Sequence, residues 1–312
     1  MYNVVAMKDI VGNTATIKYL KDSVAGDNLS HAYLFCGPSN VGKTKAAQGF
    51  AKLILCEGEN PAKCTGCPSC KLFDAGNHPD FHFLDKDAVL VEDVRELTSD
   101  LELRPYRGKA KVALIPHAEK LTTQALNSFL KTLEEPTTQT VIILTTENKK
   151  NLLETIVSRA RLVHFSLASD KQIYELLNGE LGVKRSEAEQ IVALAGGRVG
   201  YAVTLSADEE LTAGILDSAN EFMRAYKSAD IYEKMTFADK MSKDKDLLGS
   251  KLQSLEMSVR GELLKAVTGN SKGMSPDELL TLLGRLVKSE EAIRKNANIK
   301  LVIEGLLLGS TA

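Results

Sequence analysis

No apolar run in this 312-residue sequence approaches the ~18 residues that a membrane-spanning helix requires, so no membrane span is expected. Residues Met1 to Asp9 lack the apolar core of a secretory signal, which makes the cytoplasm the expected compartment and a disulfide framework an unexpected use of cysteine. A basic surplus is missing too: 39 Lys and Arg stand against 41 Asp and Glu, a formal net charge of -2. A protein that wraps nucleic acid alone usually carries such a surplus, so any contact with DNA must run through a local patch or an assembly. Proline is scarce in the second half, where Pro276 follows seven others at or before Pro136. That half should therefore form long helices with few breaks. Internal repeats and low-complexity segments are absent.

What is present is ordinary globular material, 44% hydrophobic and 26% charged, enough for two or three domains. Short apolar runs at 32–36, 81–84, 111–115, 140–145 and 161–165 read as buried strands. Helical stretches at 15–24, 43–55 and 123–135 fall between them, the last ending at Pro136. Strands alternating with helices imply a parallel α/β sheet covered on both faces. A small helical segment follows at 170–205, interrupted by Gly196-Gly197, and a helical bundle from about Leu211 to the end. Within that bundle, Ser275-Pro276-Asp277-Glu278 is a strong helix start, with a capping serine, a first-turn proline and acids at the positive end of the dipole.

Gly37-Pro38-Ser39-Asn40-Val41-Gly42-Lys43-Thr44 fits the pattern G-x-x-x-x-G-K-S/T in full, between an expected strand and an expected helix. Glycines let successive backbone N–H groups point at phosphate oxygens, Lys43 reaches the terminal phosphates, and Thr44 offers its hydroxyl to Mg2+. The loop thus predicts an ATP or ADP site, a plain glycine turn being the bland alternative. Cys56, Cys64, Cys67 and Cys70 form C-x7-C-x2-C-x2-C, with Gly58, Pro61, Gly66 and Pro68 for turns. Four thiolates so spaced can close a structural Zn2+ site, with an iron–sulfur cluster or a metal-free remnant as the rivals. His78 and His82 lie beyond the cluster. Cys36 ends a strand and reads as a small core residue.

Hydrolysis would need acids at the end of the strand 111–115, one to hold Mg2+ and one to orient water. Pro116 and His117 stand there instead, and Glu119, three residues past the first position, reads as a loop charge. Arg104, Arg107, Lys109 and Lys111 form a basic stretch suited to phosphate contacts or simply to a solvated loop. Lys149-Lys150 and the alternating Lys243-Asp244-Lys245-Asp246 read as exposed charge.

Together these motifs resemble the AAA+ clamp-loader family over nearly the whole chain. The segment Asp9-Ile10-Val11-Gly12-Asn13 is similar to the family's adenine-pocket segment, with Asn13 where glutamine is usual. His31-Ala32-Tyr33-Leu34-Phe35, Asn77-His78-Pro79-Asp80-Phe81, Leu130-Lys131-Thr132-Leu133-Glu134-Glu135-Pro136, Ser158-Arg159 (with Ala160 in place of a cysteine) and Arg294-Lys295-Asn296-Ala297-Asn298 carry the rest. The resemblance implies an AAA+ base at residues 1–166 holding the knuckle at 56–70, a helical lid at 167–208 and an all-α collar at 209–312. It implies that Val11 borders the adenine and that Arg159 is a finger reaching a neighbour's ATP. Where hydrolysing members have G-S-x-R, this chain has Gly197-Arg198-Val199-Gly200, so Gly200 replaces the arginine and Arg198 is expected at the surface. Both the gamma/tau ATPases and the delta-prime branch of the family fit this layout; the missing acids and arginine resemble the delta-prime branch, with a gamma/tau-type ATPase of divergent acidic motif as the alternative. Gamma/tau and delta subunits, the sliding clamp and primer-template DNA are the partners it implies.

Overall fold

The computed structural model describes residues 10–86, 88–107, 109–134, 139–243, 245–267 and 274–309. Asp9, Gly108, Glu135, Pro136 and Asp244 therefore lie outside the described residues, and with them the expected helix end at Pro136. The chain divides into two compact units, one of residues 1–172 with 198–200 and one of residues 173–197 with 201–312.

The first unit is built on five strands: β1 (Ala32–Cys36), β2 (Phe81–Phe83), β3 (Lys111–Ile115), β4 (Thr140–Thr146) and β5 (Arg161–His164). They lie in the order β2-β3-β4-β1-β5, and every pairing is parallel. β1 pairs with β4 from Ala32↔Ile142 to Cys36↔Thr146 and with β5 from Tyr33↔Arg161 to Cys36↔His164. Alternation along each strand divides the core in two. Tyr33, Phe35, Val112, Leu114, Val141, Ile143 and Val163 pack with α1 (Thr14–Ala25) and α2 (Lys43–Ile54). Leu34, Ala113, Ile115, Ile142 and Leu144 pack with α4 (Val91–Glu102), α5 (Thr123–Glu134) and α6 (Glu154–Arg159), which follow the short α3 (Pro68–Asp74). A strand buried on both faces reads as a continuous apolar run, which is why β1, β3 and β4 stand out in the sequence.

Two elements of this unit differ from the expectations. α4 was not anticipated, although Val94, Leu97 and Leu101 are spaced for one helix face and the Asp93 carboxylate accepts the Leu90 N–H at its start. Pro68, expected in a turn, instead opens α3.

The second unit is helical. α7 (Asp170–Tyr174) runs into a π-helical turn at Glu175–Glu180, followed by α8 (Arg185–Ala195), α9 (Val199–Ala207), α10 (Glu209–Lys227), α11 (Ile231–Lys243), α12 (Lys245–Val267), α13 (Pro276–Arg294) and α14 (Ile299–Leu308). The glycine break lies between α8 and α9, with both Gly196 and Gly197 at positive φ. A Cβ at Gly196 would come within 2.0 Å of Met257 Sδ, and the Tyr201 hydroxyl lies 2.9 Å from Ser254 Oγ, so this segment packs directly on α12. Phe222, Leu252, Leu255, Leu282 and Ile303 centre the remaining helices. The Ser275 cap forms as expected: Glu278 N donates to Ser275 Oγ, and the Glu278 carboxylate accepts Ser275 N at 2.8 Å.

Phe129 is fully buried on α5 between the sheet and α6. Replacing it with alanine should destabilise the sheet unit by about 3–5 kcal/mol, read as a lower denaturant midpoint with an unchanged slope.

Candidate functional site

Residues 37–44 leave the carboxyl end of β1 and run into α2, at the sheet edge where parallel α/β folds bind ligands. Gly37 is required by proximity, since a Cβ there would lie 2.2 Å from the Phe165 carbonyl oxygen. Gly42 is required by conformation, with φ of 93°. Lys43 is buried, and its ammonium donates to the carbonyls of Gly37 (2.8 Å) and Pro38 (2.6 Å). Burial lowers its pKa, while the charges of Glu147 and Glu119 oppose that shift. Val41 is buried, Ser39 and Thr44 are half-buried, and Asn40 is exposed with φ of 57°. Val11 is half-buried beside the loop, for Ile10 Cγ2 approaches Gly42 and Gly12 packs on Ala168. The Asn13 side chain bonds the backbone of Ser166 in both directions, at 3.0 and 2.8 Å, which fixes that segment to the end of β5.

Gly200 belongs with this first unit, and its N–H donates to the Asn40 carbonyl at 2.7 Å. A Cβ at Gly200 would sit 3.0 Å from that same oxygen, so a side chain there would need the loop to shift. Arg198 is half-buried and not on the surface as expected, with its Nε shielded from solvent. At the end of β3, His117 adopts φ of 51°, and its N–H donates to Thr145 Oγ1 at 3.1 Å. Glu119 also departs from the expectation of a solvated charge. One of its carboxylate oxygens is shielded, the other lies 3.9 Å from His117 Nδ1, and its charge is felt at Lys43. The short helical turn after His117 carries Glu119 back towards the loop.

The four cysteines come together at the far end of α2. Their sulfurs all lie within 4.8 Å of one another, with Cys56–Cys67 at 3.8 Å and Cys64–Cys70 at 3.9 Å. Zinc–thiolate bonds of about 2.3 Å in a tetrahedron put sulfurs about 3.8 Å apart, so the set could hold one zinc ion. A multi-iron cluster would spread its thiolates over several irons. The N–H groups of Gly58, Cys67 and Cys70 point at Cys56, Cys64 and Cys67 sulfurs, each at 3.4 Å. The Cys64 thiol is held down at about 6 by the N–H groups of Cys67 and Gly66, whereas burial pushes Cys56 up to about 11. The N–H groups around Cys64 thus favour its thiolate, the form that ligates metal.

Behind the cluster lies a polar chain that the sequence reading did not anticipate. The Ser69 hydroxyl donates to the Leu55 carbonyl and lies 2.8 Å from His78 Nε2, and Asp80 N–H donates to His78 Nδ1 at 3.1 Å. Nδ1 therefore carries no proton and Nε2–H faces Ser69. The Asp80 carboxylate accepts the N–H groups of Tyr106 (2.6 Å) and Arg107 (2.8 Å) rather than the imidazole, so this is no nucleophilic triad. All three side chains are buried, and burial holds the His78 pKa below its ordinary value. Arg107 pairs with Glu57 at 3.1 Å, and the buried Lys111 donates to the Asp100 carbonyl. Two of the four cations in the basic stretch are thereby committed within the chain.

Comparison with known proteins decides the family. A family model described as DNA polymerase III, delta subunit, matches residues 12–169, half of the chain. The chain belongs to that family. DNA polymerase III subunit delta' of Bacillus subtilis is 35% identical over 196 residues, covering 62% of this chain and 59% of that protein. Subunit tau/gamma of Haemophilus influenzae is 36% identical over 171 residues, 54% of this chain and 25% of that protein. The chain therefore spans less than two thirds of these curated relatives. Among solved structures, a variant of Thermotoga maritima RuvB, 13% identical, aligns with TM-score 0.50 over 97% of this chain and 89% of its own, a likeness of fold.

In this member of the DNA polymerase III delta family, Arg159 closes α6. Arg161 pairs with Tyr33 at the start of β1, so Arg159 stands at the amino edge of the sheet. The phosphate loop leaves the opposite edge, and a five-residue strand separates the two by about 16 Å. Arg159 Nη1 donates to the Thr155 carbonyl at 3.0 Å, and Nη2 pairs with Glu134 Oε1 at 2.7 Å. Among the described residues no helix is long and apolar enough to cross a membrane.

Cys64→Ser should remove most bound metal, measured by elemental analysis of protein purified with zinc present. Asp80→Ala should cost about 3 kcal/mol, because it removes from a fully buried position the acceptor of the Tyr106 and Arg107 N–H groups, and this is checked by denaturant unfolding of the full chain.

Proposed function

We propose that this chain is a delta-prime-like subunit of a bacterial DNA polymerase III clamp loader, working in the cytoplasm to place a sliding clamp on primer-template DNA. Its base is residues 1–166, its lid 167–208 and its collar 209–312, the collar joining it to gamma/tau and delta subunits. Zn2+ held by Cys56, Cys64, Cys67 and Cys70 stiffens the knuckle. Gly37, Ser39, Asn40, Val41, Gly42, Lys43 and Thr44, with Val11 beside the base, bind ATP or ADP with Mg2+ for a structural or regulatory purpose.

One observation carries the reading. The phosphate loop is whole, yet Pro116 and His117 occupy the positions from which acids would hold Mg2+ and orient water. Proline has neither charge nor N–H, and imidazole is a poor ligand for so hard a cation. Gly200 brings backbone rather than a cation to the loop. Arg159, on the edge away from its own loop, is suited to another subunit's nucleotide. There its guanidinium offsets charge developing on the γ-phosphoryl group.

A second reading, a gamma/tau-type ATPase with displaced acids, draws support from Glu119 and Glu147, whose charges reach Lys43. ATP turnover separates the two: the isolated chain with Mg2+ should show none, and brisk turnover would establish the second. In the assembled ring, Arg159→Ala should slow single-turnover hydrolysis at the adjoining site by ~10³-fold or more while leaving ATP bound there, within the ~10³–10⁵ range of such fingers.

A further inference from the structure

We propose that Glu134 is the positioning residue of this finger, holding the Arg159 guanidinium in one place before a neighbour's nucleotide meets it. The inference rests on the reading of Arg159 as an arginine finger. Glu134 is the last described residue of α5, and Arg159 closes α6. The two helices share one core, in which Phe129, Leu133 and Ile156 are almost wholly buried. Across that join Glu134 Oε1 lies 2.7 Å from Arg159 Nη2, and the Thr155 carbonyl lies 3.0 Å from Nη1. The Ser158 hydroxyl lies 3.5 Å from the same Nη1, so acceptors of its own helix hold one end of the guanidinium and Glu134 holds the other.

Helix stability does not account for this pair. Both side chains are substantially exposed, at 35% and 49%, where ion pairs add little to folding. The pair does suit an arginine that must act on an anion. The guanidinium has five N–H donors, and these three acceptors leave others for phosphate oxygens. A long side chain held in advance loses less freedom when it engages, and small misplacements of a catalytic group are costly.

The test uses the full complex, assembled from this chain with its delta and gamma/tau-type partners, the clamp and primed DNA, with rates normalised to assembled complex. Glu134→Ala should lower kcat for hydrolysis at the adjoining site about tenfold and leave KM for ATP within about twofold, since the finger acts on the transition state. Glu134→Gln, which keeps an acceptor oxygen, should recover most of the rate. In the Arg159→Ala background Glu134→Ala should add no further loss. The proposal is overturned if kcat of Glu134→Ala equals or exceeds that of the parent, if only KM changes, if Gln does not recover the rate, or if the two losses multiply. A normal rate for Arg159→Ala alone would instead remove the finger reading itself.

Discussion

The parallel hydrogen bonding of β1, to β4 on one side and β5 on the other, is the constraint on which the rest of the first unit depends. A parallel sheet has two unlike edges. Every strand exits at one, so the loops after β1, β3 and β4 converge there: the phosphate loop, the Pro116–His117 turn and the Thr145–Glu147 segment. Segments that lead into strands gather at the other edge, where α6 delivers Arg159 to β5. The same pairing that builds the nucleotide loop therefore carries Arg159 away from it.

At the exit edge, backbone contacts replace much of what side chains would supply. Gly37 passes the end of β5 too closely for any Cβ, Lys43 lies on carbonyls of its own loop, and Gly200 bonds the Asn40 carbonyl. The loop is thus held in shape before any phosphate enters, which lowers the cost of binding and does nothing for cleavage. Cleavage needs fixed carboxylates, and Glu119 lies in the turn after β3 while Glu147 follows β4, so neither occupies the end of β3. They temper the charge of Lys43 without occupying the positions beside β3.

The cysteine knuckle is tied into the domain by buried polar groups. Ser69 lies between Cys67 and Cys70, bonds the last turn of α2 and meets His78, while Asp80 holds the backbone of Tyr106 and Arg107. Each group has its partner, so the chain is rigid and costs little to bury. Glu57 within the knuckle then pairs with Arg107. The cysteine cluster is thereby linked to the Tyr106–Arg107 segment, and Tyr106 is presented outward, 83% exposed.

Much of this was legible in the residues. Buried parallel strands read as unbroken apolar runs, so β1, β3 and β4 were visible, and with them α2 and α5. The phosphate loop and the four cysteines were visible because their chemistry demands fixed types at fixed short spacing. α4 was hidden by its polar first turn, although Val94, Leu97 and Leu101 mark its inner face. The roles of Ser69, His78 and Asp80, the inward turn of Glu119 and the pairing of Glu134 with Arg159 were decided by the fold alone. Each joins residues from separate elements, up to 27 positions apart in the Asp80–Arg107 bond. Local sequence fixes what a short segment can do by itself, through φ preference, period and ligand type. Which distant charge meets which depends on how packed helices and strands bring their ends together, and that is set only once the core has closed.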